Sequence, residues 1–162
     1  MTIFVLDASA LAKHFIDEPG SAILDDLFTR ARPGQLACLN IGLVETVSIL
    51  VRAQNSGRVP ADEITRSLAA LSGAIEGDRF NIIPMANELV LGSDDFVRTH
   101  NINSTDAVLL NAALSIDAAA AQADRVVLVA SDLRLLRAAR IEGLICLNPE
   151  TADQAEVDLH LE

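Results

Sequence analysis

Five short apolar runs constrain this chain more than any other feature: IFVL at 3–6, LACL at 36–39, FNII at 80–83, VVLV at 126–129 and GLICL at 143–147. They lack the apolar–polar alternation of a strand with one wet face, and so suit strands covered on both sides. Between them the spacing predicts helices over 8–16, 20–31, 41–54, 61–75, 86–99, 104–121 and 132–140, punctuated by Gly20, Gly57, Pro60 and Gly143. Buried strands that alternate with helices pair in parallel, because each crossover uses a helix to return the chain. The expected fold class is α/β: a three-layer α/β/α sandwich around a mostly parallel central sheet. The Ala-rich SIDAAAAQAD at 115–124 reads as a helix end rather than a linker.

A chain of 162 residues, 51% of them apolar, is long enough for one sizeable core and too apolar for disorder. Cys38 and Cys146 sit in strand-like runs, which fits buried free thiols in a reducing compartment. No secretion signal opens the chain, and no apolar run approaches the roughly 20 residues of a membrane span. The expectation is a soluble, cytoplasmic protein without membrane contact. The net charge of −11 is uneven: residues 150–162 hold five acids and no Lys or Arg, leaving 18 acids and 12 bases in residues 1–149. If four of those acids neutralise metal, the remainder is about −2, so acidity weakens a nucleic-acid reading without excluding it.

Four acids stand in unusual settings. Asp7 follows the first apolar run and Asp132 the fourth, each at the start of a predicted helix, and helix capping explains either one alone. Asp106 lies in the first turn of a helix, where a negative charge meets the helix dipole favourably. Glu45 lies too far inside its helix to cap it, and shares an apolar face with Ile41 and Ile49. A carboxylate there needs an ion-pair partner or a metal. In an open α/β sheet, ligands gather beyond the carboxyl ends of the strands, where Asp7 and Asp132 fall. Four carboxylates converging there would repel one another, and a hard divalent cation with oxygen ligands, Mg²⁺ or Mn²⁺, would relieve the repulsion.

The segments FVLDASALAKHF, LVETVSIL, NINSTDAVLL and VLVASDLRLLRAARIEGLICLNPE, in that order and at those separations, resemble the PIN domain, and within it the VapC-type toxins of bacterial toxin–antitoxin pairs. The resemblance covers nearly the whole chain and implies a PIN-like nuclease domain over 1–150 followed by an acidic tail over 151–162. It implies that Asp7, Glu45, Asp106 and Asp132 are the catalytic, metal-binding acids. Ser9 and Ser131 would orient carboxylates or water by hydrogen bonds; a first-turn hydroxyl and a helix cap are their ordinary readings. The implied activity is Mg²⁺-dependent hydrolysis of RNA, with Mn²⁺ able to substitute, leaving a 5′-phosphate and a 3′-hydroxyl. The implied partners are an RNA substrate, a cognate antitoxin and a second copy of the chain, with residues 41–75 as the self-association surface.

This chain departs from a typical RNA binder in having one Lys (Lys13) and no Tyr or Trp. Its five Phe residues read as core, and backbone contacts would fall to Arg52, Arg58, Arg134, Arg137 or Arg140. His14, His100 and His160 lack zinc spacing and read as surface residues, and no phosphate-binding glycine motif is present. Two alternatives stand beside the nuclease: a catalytically inactive PIN-like protein-binding module, and an unrelated doubly wound domain for a small phosphorylated ligand.

Overall fold

A computed structural model describes residues 1–121 and 124–161. In chain order the elements are β1 (Thr2–Leu6), α1 (Ala8–Leu11), one 3-10 turn (Ala12–His14), α2 (Ser21–Arg30), β2 (Leu36–Leu39), α3 (Asn40–Asn55), α4 (Ala61–Glu76), β3 (Asn81–Ile83), α5 (Asn87–Leu91), α6 (Asp94–His100), α7 (Ser104–Ala119), β4 (Arg125–Val129), α8 (Leu133–Ile141), β5 (Ile145–Leu147) and α9 (Gln154–Leu161). The strands form one sheet in the order β3-β2-β1-β4-β5, every pair parallel. The expected α/β sandwich is the observed one, with a wholly parallel sheet.

Successive side chains of a strand point to opposite faces, and here both faces are packed. Val5, Ala37, Leu39, Val126 and Leu128 face a layer built from α7 and α8. Phe4, Leu6, Leu36, Cys38, Val127 and Val129 face α1, α2 and α9. The central strands therefore carry no polar alternation, whereas edge residues Ile82 and Ile145 are 43% and 39% exposed. Ile16, Leu50, Ala53, Val59 and Ile64 form a smaller core beneath the α3–α4 pair. Cys38 and Cys146 are free, and burial pushes the Cys38 thiol up to about 12. No helix among the described residues is long and apolar enough to cross a membrane.

Some boundaries differ from the sequence reading. The helix expected over 8–16 tightens into the 3-10 turn after Leu11, and the one expected over 86–99 divides into α5 and α6. At that division the Asn111 amide of α7 donates to the Leu89 carbonyl at 2.9 Å, and the Ser93 hydroxyl donates to the same carbonyl at 2.7 Å. A neighbouring helix thus takes over the acceptor that a continuous helix would have used itself. Residues 151–162, read as an acidic tail, carry α9, whose Val157 and His160 are buried. Gln122 and Ala123, part of the expected helix end, and Glu162 lie outside the described residues.

The histidines require a correction. His100 is buried, its Nε2 lying 2.6 Å from Glu142, and His160 is buried as well. Each lies on the inward face of its helix, where polar neighbours in sequence conceal the packing. Lys13 is also buried, donating to Glu150 at 2.8 Å, with Glu18 at 3.7 Å.

Gly20 ties these parts together. Its φ is +95°, and a Cβ there would stand 2.7 Å from the carbonyl carbon and oxygen of Pro149. Both the left-handed backbone and the close approach require glycine. Gly20→Ala is expected to cost about 2 kcal/mol, lowering the melting temperature by roughly 4–8 °C in thermal denaturation. An unchanged melting temperature would show that the contact is dispensable.

Candidate active site

β1 lies between β2 and β4, and the chain leaves β1 toward β2 but leaves β4 toward β5. The loops after β1 and β4 diverge, which opens a crevice beyond their carboxyl ends. Asp7 follows β1 directly, and its backbone N–H continues the sheet by donating to the Val129 carbonyl at 2.9 Å. Asp132 lies three residues beyond Val129 and begins α8. Glu45 enters from the second turn of α3, and Asp106 from the first turn of α7. All four acids line one cleft of about 280 Å³, together with Ser9, Ser48 and Arg52.

The ordinary readings of Asp7 and Asp132 hold within this arrangement. Asp7 caps α1, its Oδ2 accepting from the Ser9 N–H at 3.0 Å and from the Ser9 hydroxyl. Asp132 caps α8, its Oδ1 accepting from the N–H groups of Arg134 and Leu135 at 2.7 and 3.2 Å. Ser9 does more than fill a helix turn. While donating to Asp7, its hydroxyl oxygen accepts the Ser131 N–H at 3.1 Å, joining the ends of β1 and β4. The Ser131 hydroxyl is buried without a hydrogen-bond partner among the described residues.

Glu45 and Asp106 are held differently. Burial raises the Glu45 carboxyl above its usual range, opposed by a hydrogen bond from Thr105, reinforced by the charge on Asp7 and opposed by that on Arg52. The Thr105 partnership was not read from the sequence; its adjacency to Asp106 was the available signal. Asp106 does not cap α7, because Asn103 does so by accepting the Asp106 N–H at 2.8 Å. Its carboxyl is buried and its Oδ2 has no hydrogen-bond partner among the described residues. Burial first, and then the charges of Asp7, Asp132 and Glu45, push Asp106 up to about 7. Asp7 is likewise raised by burial, despite its bonds from Ser9.

Among the described residues, no three His, Cys, Asp or Glu side chains are already drawn together around a single ion position. The donor set nevertheless fits a hard divalent cation: all oxygen, four carboxylates, and a buried acceptor on Asp106 left open. An unpaired buried acceptor costs on the order of 1–3 kcal/mol, and like charges in one cleft add repulsion.

That cost has a measurable pH signature. The folded-state pKa of Asp106, about 7, lies above the ordinary aspartate value of 3.8, so between these values the folded protein binds the extra proton. Stability therefore falls as pH rises through this window. Asp106→Asn is expected to raise the melting temperature of metal-free protein at pH 8 by roughly 2–4 °C, an effect on the order of 1 kcal/mol, and to change it little at pH 4. An equal shift at both pH values would mean that this carboxyl is not strained by ionisation.

Residues 4–141 match the family model of the PIN domain. Similar solved structures include PAE2754 from Pyrobaculum aerophilum, with 21% identity and a TM-score of 0.64 over 90% of this chain and 92% of that one. A toxin–antitoxin complex from Klebsiella pneumoniae matches with 21% identity and a TM-score of 0.56, over 90% and 96%. VapBC-1 from nontypeable Haemophilus influenzae matches with 17% identity and a TM-score of 0.58, over 92% and 98%. No curated protein sequence matches the chain. With the family model spanning most of its length, and with four carboxylates at the switch point of a five-stranded parallel sheet, the chain belongs to the PIN domain family, whose members are generally nucleases that use a divalent metal.

Proposed function

We propose that this chain is a Mg²⁺-dependent endoribonuclease, with Mn²⁺ able to substitute, and the toxin of a type II toxin–antitoxin pair acting in the cytoplasm. The observation that carries the reading is the convergence of Asp7, Glu45, Asp106 and Asp132, from four separate elements, on one cleft. Asp7, Glu45, Asp106 and Asp132 would hold the cation. When bound, it supplies Lewis-acid charge to the scissile phosphate and lowers the pKa of a water.

The chain's own groups supply position and charge. Ser9 holds the Asp7 carboxylate and fixes the loop after β4 through the Ser131 N–H. Thr105 favours the charged form of Glu45 against the effect of burial. The cleft needs no side-chain nucleophile: its carboxylates are positioned to accept hydrogen bonds from a water and to take up its proton as the phosphodiester is attacked. The Ser131 hydroxyl, buried and unpartnered among the described residues, is available to the same water or to a carboxylate.

Partners follow from the same reading. The structural likeness to a toxin–antitoxin complex supports a protein antitoxin as partner. An antitoxin Arg reaching the carboxylates would substitute for the cation's charge and so inhibit. Val44, Val47 and Val51 are 59%, 37% and 38% exposed along one side of α3. This stripe supports a homodimer through α3, inside the surface expected over 41–75. Val44→Glu/Val47→Glu is expected to yield monomers in light scattering, whereas wild type gives dimers. A dimeric double variant would move the interface elsewhere.

The acids are tested by conservative amides. Asn is as good a helix cap as Asp, so Asp7→Asn and Asp132→Asn keep α1 and α8 capped while removing charge. Asp7→Asn, Glu45→Gln, Asp106→Asn and Asp132→Asn are each expected to weaken Mn²⁺ binding in calorimetric titration by about tenfold or more. RNA cleavage should fall by roughly 100-fold or more, with melting temperatures close to or above that of wild type. Folded wild type that takes up no Mn²⁺ at millimolar concentration would leave the carboxylates as caps and favour the binding-module alternative.

A further inference from the structure

A cleft lined by four carboxylates repels a polyanion, so an RNA strand needs fixed positive charge beside the acids as well as a cation among them. The chain's arginines differ sharply in availability. Arg58 is engaged with Glu18 at 2.6 Å, and Arg137 donates to the His100 carbonyl at 2.9 Å. Arg134 lies 3.7 Å from Asp132, and Arg79 is spent on the carbonyls of Phe28 and Ala31. Arg52 alone among these lines the acid cleft, and it makes no ion pair among the described residues.

Its place on α3 is specific. Glu45, Ser48 and Arg52 stand at i, i+3 and i+7, which puts them along one face of the helix. At 1.5 Å rise per residue, Arg52 sits about 10 Å along the axis from Glu45, and side chains on a helix lean toward its N-terminus. Arg52 thus shares the cleft with Ser48 and the acids but forms no ion pair with them. Its charge is felt at Glu45, which it helps to keep ionised.

We propose that Arg52 binds a backbone phosphate of the RNA strand next to the one being cleaved, with the Ser48 hydroxyl between that contact and the acids. A planar guanidinium suits bidentate phosphate contact, and one fixed contact a short distance from the acids sets how the strand lies across them. The role is that of a substrate-binding residue, and it rests on the ribonuclease reading above.

The test uses Arg52→Gln and Arg52→Lys in wild type for kinetics, and in the cleavage-impaired Asp132→Asn background, without added divalent metal, for binding. The probe is a short fluorescent single-stranded RNA of mixed sequence, titrated across a salt series. Arg52→Gln is expected to weaken RNA binding roughly 3- to 10-fold and to make the slope of log K against log salt shallower by about 0.7, one phosphate contact on a single strand. Arg52→Lys should retain the slope. In wild type, Arg52→Gln should raise KM with kcat nearly unchanged, the pattern of a contact made equally in the ground and transition states. Mn²⁺ binding should change far less than the roughly tenfold loss expected when one of the acids is removed, because Arg52 acts on the acids only through its charge at Glu45.

Unchanged affinity and salt slope would make Arg52 an ordinary surface guanidinium. A fall in kcat with KM unchanged would transfer its contact to the scissile phosphate and overturn the assignment to a flanking one. Wild type that takes up Mn²⁺ but neither binds nor cleaves RNA would sink the ribonuclease reading itself, and this assignment with it.

Discussion

The pairing of β1 with β4 is the interaction on which the site depends. Five residue pairs hold it, from Thr2 opposite Arg125 to Leu6 opposite Val129. The Asp7 N–H then extends the hydrogen bonding one residue beyond β1. Phe4 and Leu6 belong to one core layer and Val5 to the other, so a shift of one residue would exchange the faces of all three. Register is therefore fixed by burial, and the position of Asp7 against the loop carrying Asp132 follows from it. The bond from the Ser131 N–H to Ser9 then sets the gap between the two loops. Hydrophobic packing, acting remotely, decides where the carboxylates stand.

Electrostatics divides those carboxylates into two kinds. Asp7 and Asp132 are anchored by N–H groups at helix starts, although burial still raises Asp7 above its usual range. Asp106 has no such bond on Oδ2 among the described residues, and burial, followed by the charges of Asp7, Asp132 and Glu45, pushes it up to about 7. Glu45 lies between these cases, raised by burial but held by Thr105 and near Arg52. The fold accepts this local conflict because the rest of the sheet is apolar and well packed. Strain concentrated in one cleft, rather than spread through the core, is what the proposed cation site would require of a protein otherwise built to exclude charge.

Much of this was legible in the sequence because apolar runs and helix starts are local signals. The strands IFVL, LACL and VVLV lie within one residue of β1, β2 and β4, and Glu45 stood out because a mid-helix acid on an apolar face is hard to explain otherwise. What escaped reading depends on contacts between distant segments. The division between α5 and α6 is made by Asn111 from another helix. Buried His100 meets Glu142 across 42 positions, and Lys13 meets Glu150 across 137. No spacing rule connects such pairs, and the same holds for Ser131 reaching Ser9. Choosing among the arginines needed the fold as well, because in sequence Arg52, Arg58 and Arg137 are equivalent cations.

Helix capping and the proposed metal ligation both call on Asp7 and Asp132, yet a carboxylate has two oxygens and the structure divides them. In Asp132 both backbone amides share Oδ1, while among the described residues Oδ2 has only a guanidinium 3.7 Å away. In Asp7 the backbone and hydroxyl of Ser9 both take Oδ2. A cap used on one oxygen fixes the carboxylate plane and aims the other, so the structural role would prepare the proposed chemical one. An amide at either position would still cap through its carbonyl oxygen, but would present an NH₂ group where the second oxygen had been. Aspartate at a helix start is unremarkable wherever capping is all that is asked of it. For the proposed ligation the second oxygen is what distinguishes a cap from a ligand, and only the charged residue supplies it.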